Sequence, residues 1–125
     1  MVAREGAGER EGVVLAAVRR GRIVGYAYGR IEPRDWITLR DRCGVGVDLF
    51  VEPRARTGGI GTALVEALVA ALVARGAPRV VIDVASKNPR ASRLFASLGF
   101  RATMVEMTRE AVPPSAGRAR RKRRR

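Results

Sequence analysis

The stretch from residue 44 to residue 85 constrains the chain most, because its pattern changes twice within it. Residues 44–51 (GVGVDLFV) are rich in β-branched and aromatic side chains, and Pro53, which cannot donate to a sheet ladder, stops them. Gly58, Gly59 and Gly61 follow. The run TALVEALVAALVAR is then built from strong helix formers and closes at Gly76 and Pro78. After it, residues 79–85 (RVVIDVA) are nearly continuous apolar sequence, as in a buried parallel strand. Strand, glycine turn, helix and strand make one βαβ unit, expected to be right-handed. An α/β fold follows. Within the helix only Thr62, Glu66 and Arg75 are polar, so it is expected to be covered on most of its circumference.

The flanks extend this unit. Residues 13–18 (VVLAAV), a polar turn at 19–22 containing Gly21, and residues 23–31 (IVGYAYGRI) read as a β-hairpin. Residues 32–41 (EPRDWITLRD) form a connection. Asn88 and Pro89 supply an N-cap and a first-turn proline for a second helix through Leu98, which Gly99 ends. Residues 100–110 (FRATMVEMTRE) read as a last strand. The expected order is β-β-β-α-β-α-β, a mixed sheet with helices packed on it and no internal repeat.

At 125 residues the chain has room for one domain. It is placed at residues 1–112. Residues 113–125 begin with two prolines, run into arginines and contain no apolar periodicity, so they are expected to be a disordered tail. The net charge is +13, and the seven basic residues from Arg118 onward account for more than half of it, leaving +6 elsewhere. Weak binding of polyanions, nucleic acid included, is expected through this tail. A single cysteine, Cys43, forbids a disulfide within the chain, and the lack of histidine removes the usual zinc sites, so no metal is expected. The first residues lack the apolar core of a signal peptide, and the longest apolar run, 67–74, is too short to span a bilayer. A cytoplasmic protein without membrane contact is the expectation. The sequence leaves room for a homodimer.

Chemistry concentrates at residues 51–64 (VEPRARTGGIGTAL). Glycines between a strand end and a helix start let backbone N–H groups approach a ligand closely, and the helix N-terminus favours an anion, phosphate especially. Arg56 adds a formal charge. A tight turn with no ligand is the alternative. The run lacks the Gly-Lys-Ser/Thr of an NTPase loop, and Gly44-Val45-Gly46 does not open a helix, which argues against ATP and NAD.

Two stretches resemble the GNAT family of N-acetyltransferases. Arg56-Thr57-Gly58-Gly59-Ile60-Gly61, preceded by Leu49-Phe50-Val51-Glu52-Pro53, is similar to that family's coenzyme A loop, Arg/Gln-x-x-Gly-x-Gly/Ala after a strand. Asn88, a short helix and Leu98-Gly99-Phe100 resemble its second signature. The resemblance covers residues 13–110. It implies acetyl-CoA as acyl donor, an amine as acceptor, and direct attack of that amine on the thioester in a ternary complex. By the same resemblance Leu49, Phe50 and Val51 lie along the cofactor, the amides of Phe50 and Val51 holding the thioester carbonyl and pantetheine arm. Amides from Thr57 to Thr62, with Gly58, Gly59, Ile60 and Gly61 between them, take the pyrophosphate. Asn88 contacts the cofactor arm or simply caps its helix.

Such a reaction needs an uncharged amine, a stabilised oxyanion and a proton for the thiolate. Without histidine the base is a carboxylate or a water chain. Asp48 is the candidate, since two-residue alternation puts it on one face with Phe50, opposite Leu49 and Val51, unless a β-bulge breaks the parity. A solvated charge is the other reading of Asp48. Tyr26 and Tyr28 share a face of the hairpin and are alternative donors or cleft wall, while Cys43, with no histidine partner, is expected to be inert. Two departures from the family stand out. Its N-terminal helical element is shortened to about a dozen residues before Val13, and the position where the family commonly carries a proton-donating tyrosine is Phe95, which cannot donate. A non-catalytic acyl-CoA-binding module acting through a protein partner, and a nucleic-acid or ribosome-associated protein using the tail, are the rival readings.

Overall fold

The computed structural model describes residues 2–5 and 12–112; the tail expected at 113–125 lies outside them. Five strands form one sheet in chain order. β1 (Val2–Glu5), β2 (Gly12–Arg19), β3 (Arg22–Glu32) and β4 (Cys43–Val51) pair antiparallel in succession, and β5 (Val80–Ile82) pairs parallel to β4. The predicted hairpin is present as β2 and β3. Its two-residue loop has Arg20 at φ 52° and Gly21 at φ 77°, the double positive φ of a type I′ turn that matches strand twist.

β4 leads through a 3₁₀ turn (Pro53–Ala55) into α1 (Ile60–Ala74), which lies across the sheet. Ile60, Leu64, Leu68 and Leu72 recur at four-residue spacing and are buried against Val13, Leu15, Ala17, Val24, Ala27, Ile31 and Val51. As expected, α1 is covered on most of its circumference: within it Glu66, Ala70, Val73 and Ala74 are exposed, along a single stripe. Small residues let it come close. A Cβ at Gly29 would lie 2.8 Å from Val45 O and 3.0 Å from Leu68 Cδ1, so the leucines of α1 occupy the space a side chain would fill.

α2 (Pro89–Ser97) begins as predicted, with Asn88 Oδ1 accepting from the Ala91 N–H at 3.1 Å, and ends before Gly99 at φ 93°.

Three expectations are corrected. Residues 100–110 form no strand: no ladder includes them, and Met104, Val105 and Met107 are exposed. Their composition favours an extended backbone, but a strand exists only where a neighbour completes its hydrogen bonds, and none of the described residues does so. β5 is three residues long rather than seven, because its partner β4 bulges at Val47 and turns away beyond Gly46. Finally, β1 was not foreseen; it is a short, charge-bearing edge strand of the kind that carries little periodicity.

Candidate functional site

The bulge decides how β4 presents its side chains. Tyr28 pairs with Asp48 and Gly29 with Gly46, leaving Val47 as the extra residue. Before it Gly44 and Gly46 face α1; after it Leu49 and Val51 do, so the parity flips once and puts Asp48 with Phe50 on the opposite face. There the Tyr26 hydroxyl donates to Asp48 Oδ2 at 2.9 Å, and the Tyr26 and Phe50 rings lie 5.9 Å apart. The hydrogen bond to Asp48, together with that carboxylate's charge, holds the Tyr26 hydroxyl above the usual phenol range. Tyr26 is therefore a donor at neutral pH. Tyr28, on the same strand face, and Glu32, whose Oε2 accepts from Arg30 Nε at 2.9 Å, raise the affinity of the Arg30 guanidinium for its proton.

The same bulge opens a notch between β4 and β5. Their pairing ends at Gly46 and Ile82. Gly44 N–H donates toward β5, to Arg79 O at 2.8 Å, and Glu52 N–H donates toward β3, to Val24 O at 2.8 Å. Alternation between these two points, with one residue added by the bulge, turns the N–H groups of Leu49 and Val51 into the notch and that of Phe50 toward β3. Of the two amides expected to hold a thioester, Val51's faces the notch, and Leu49's joins it.

Below the notch lies the glycine turn. Gly59, at φ 78°, caps α1 without a side chain, and no acidic residue sits in the first helical turn. Gly58 N–H turns back to Ala55 O at 3.4 Å, whereas no acceptor is present among the described residues for the N–H groups of Thr57, Gly59, Ile60, Gly61 and Thr62. A Cβ on Gly59 would meet nothing within 4 Å. Open amides at a helix N-terminus, with space before them, form a cradle for phosphate.

One nitrogen of Arg56 is engaged beside this cradle. Its Nε donates to Val51 O at 2.8 Å, tying the 3₁₀ turn to the strand end. Arg19 lies over the turn: a Cβ built on Gly58 would lie 2.8 Å from Arg19 Nη2. The sequence carries no signal for this, because 39 positions separate the two and only the β2–β3 pairing brings the arginine there.

Asn88 caps α2 through Oδ1. Phe95 is buried, with its ring edge-on to Phe100 at 5.5 Å. Cys43, at the start of β4, has no exposed surface. Among the described residues no group of three or more histidine, cysteine, aspartate or glutamate side chains could hold a metal, and no helix is long and apolar enough to cross a membrane.

These features agree with comparison to known proteins. The family model for the acetyltransferase (GNAT) family matches residues 3–100. The chain belongs to the GNAT family. Its resemblance to the mycothiol acetyltransferase of Thermomonospora curvata is 32% identity over 101 residues, covering 81% of this chain and 32% of that one. The enzyme of the same name from Amycolatopsis mediterranei is 30% identical over 93 residues, 74% of this chain and 31% of the relative. This chain therefore spans about a third of the length of those relatives. Among solved structures, a Trypanosoma brucei acetyltransferase superposes with a TM-score of 0.62 at 28% identity, covering 80% of this chain and 69% of that one. A Bacillus halodurans protein gives 0.74 at 26%, covering 84% and 69%. Acetyl transfer is the family's chemistry, with acetyl-CoA as the donor that membership implies.

Proposed function

We propose that this GNAT member transfers the acetyl group of acetyl-CoA to a primary amine, of a small molecule or a protein, by direct attack in a ternary complex. The observation that carries the reading is two groups of free backbone donors, the amides of Leu49 and Val51 in the notch and those of Thr57, Gly59, Ile60, Gly61 and Thr62 at the turn. They suit a thioester carbonyl and pantetheine arm in the notch and a pyrophosphate at the turn. In the transfer the amine nitrogen bonds to the acetyl carbon, the carbon–sulfur bond breaks, and the thiolate leaves as coenzyme A. Asp48 is the base that takes the amine's proton, kept in position by the Tyr26 hydroxyl on one oxygen with the other still open. With Phe95 buried, the thiolate draws its proton from water.

Calorimetry with acetyl-CoA, followed by release of free thiol over a panel of amines, tests this reading. Binding with amine-dependent release is expected. Binding without release for any amine would favour the second reading, a non-catalytic acyl-CoA-binding module, which the buried Phe95 supports. Absence of binding would overturn both.

A further inference from the structure

We infer that Arg19, at the end of β2, is a phosphate-binding residue for the coenzyme, placed over the glycine turn; this rests on the coenzyme reading above. Three observations carry it. First, the Arg19 guanidinium lies against Gly58, with Nη2 at 2.8 Å and Cζ at 4.0 Å from where a Cβ would stand, so it borders the open amides directly. Second, two neighbouring arginines have bonds of their own. Arg56 Nε is bound to Val51 O at 2.8 Å, and Arg22, beside Arg19 across the hairpin, is paired with Glu52 Oε2 at 2.8 Å. Third, neither a hydrogen bond nor an ion pair to the Arg19 side chain is found among the described residues. A guanidinium presents donors in a planar fork suited to two phosphate oxygens.

The hairpin gives this placement its rigidity. The Arg20-Gly21 loop is a tight two-residue turn, and Arg19 pairs with Arg22 in the ladder, so the backbone that carries the guanidinium is fixed to the sheet. Glycine at residue 58 is also explained: any side chain there would push the Arg19 head away from the amides. The coenzyme offers two phosphate sources, the pyrophosphate and the 3′-phosphate, and the same guanidinium chemistry serves either.

The test is equilibrium binding, measured by calorimetry, of coenzyme A, 3′-dephospho-coenzyme A and pantetheine to the wild-type chain and to Arg19→Ala. Arg79→Ala serves as the control that removes one charge at the opposite end of β4. Arg19→Ala is expected to weaken coenzyme A binding about 10- to 150-fold, the range for losing a charge-assisted hydrogen bond, with Arg79→Ala near wild type. A deficit that vanishes with 3′-dephospho-coenzyme A assigns Arg19 to the 3′-phosphate; one that persists there and vanishes with pantetheine assigns it to the pyrophosphate. Gly58→Ala, which displaces the guanidinium, should cost less in the Arg19→Ala background than alone. Equal coenzyme A affinity for wild type and Arg19→Ala, or an equal deficit in Arg79→Ala, would overturn the assignment. A wild-type chain that binds no coenzyme A would overturn the coenzyme reading itself, and this inference with it.

Discussion

Single backbone angles and single side chains settle most of what can be tested at the turn. Gly59 stands at φ 78° with open space where a side chain would be, so substitution there acts through strain and through filled volume together. Gly59→Asp and Gly59→Asn separate these from charge, since the two are nearly isosteric and asparagine tolerates the left-handed region. We expect Gly59→Asp to weaken acetyl-CoA binding by about tenfold or more, Gly59→Asn clearly less, because only the aspartate repels a phosphate at a helix N-terminus. Calorimetry giving the two variants equal affinity would show that charge at this point is irrelevant. Phe95 makes the opposite kind of statement. Its position in the second family signature suggests a missing acid whose restoration by Phe95→Tyr would speed transfer by ~10²- to 10⁴-fold. Its burial against Phe100 predicts instead that the new hydroxyl lacks a partner and costs about 1 to 3 kcal/mol. The expected result is a lower melting temperature without a gain in rate; a faster enzyme of unchanged stability would return Phe95 to the active site.

At the scale of elements, what could be read from sequence and what could not divides along local and non-local lines. The hairpin, β4, α1 and the capped start of α2 were legible because turn residues, β-branched runs, a proline stop and an N-cap are local signals. So was the shared face of Asp48 and Phe50, though Gly44 and Gly46 fall on the other face only because of a bulge that no local pattern announces. The length of β5 and the absence of a strand at 100–110 were not legible, since both depend on which neighbour supplies hydrogen bonds. The loop between β3 and β4 shows order arising from a residue whose role sequence leaves blank. Asp35 Oδ1 accepts from the Ile37 N–H at 2.9 Å and the Thr38 N–H at 3.4 Å, while its backbone bridges to Arg40. Those backbone hydrogen bonds lower the Asp35 pKa from its ordinary value. A carboxyl with a depressed pKa in the folded state contributes stability above its unfolded pKa and loses it as pH falls through the folded value. The loop should therefore loosen in acid, below about pH 4. Trp36, the only tryptophan, stacks under Arg34 at 4.9 Å and reports on this loop by its fluorescence. Asp35→Asn, which keeps an acceptor oxygen without a charge to titrate, should remove most of the acid transition. An unchanged transition would exclude Asp35 as its origin.

For the whole molecule, the distribution of charge sets apart two kinds of anion binding. The site proposed for the coenzyme's phosphates is a fixed constellation of amides at the start of α1, whereas seven of the chain's positive charges fall in residues 118–125, outside the described domain. Binding at a fixed site depends on geometry, while binding by a run of arginines depends on counterion release and therefore falls steeply with salt. Deleting residues 113–125 should accordingly leave acetyl-CoA affinity and melting temperature unchanged, because no apolar periodicity in that stretch offers a face to bury. Affinity for RNA or heparin should drop, and the slope of log affinity against log salt should flatten by up to about five for the seven charges removed, taking a single-strand slope of roughly 0.7 per phosphate contact. Filter binding of a single-stranded RNA across 50 to 300 mM salt, on the full chain and the deletion, supplies both numbers. A parallel loss of acetyl-CoA affinity would mean that the arginines reach the coenzyme and that the two anion sites are one. A full salt slope retained after deletion would instead move the polyanion surface onto the domain, where the +6 that remains would have to be clustered around the Arg19–Arg22 hairpin and the 3₁₀ turn to account for it.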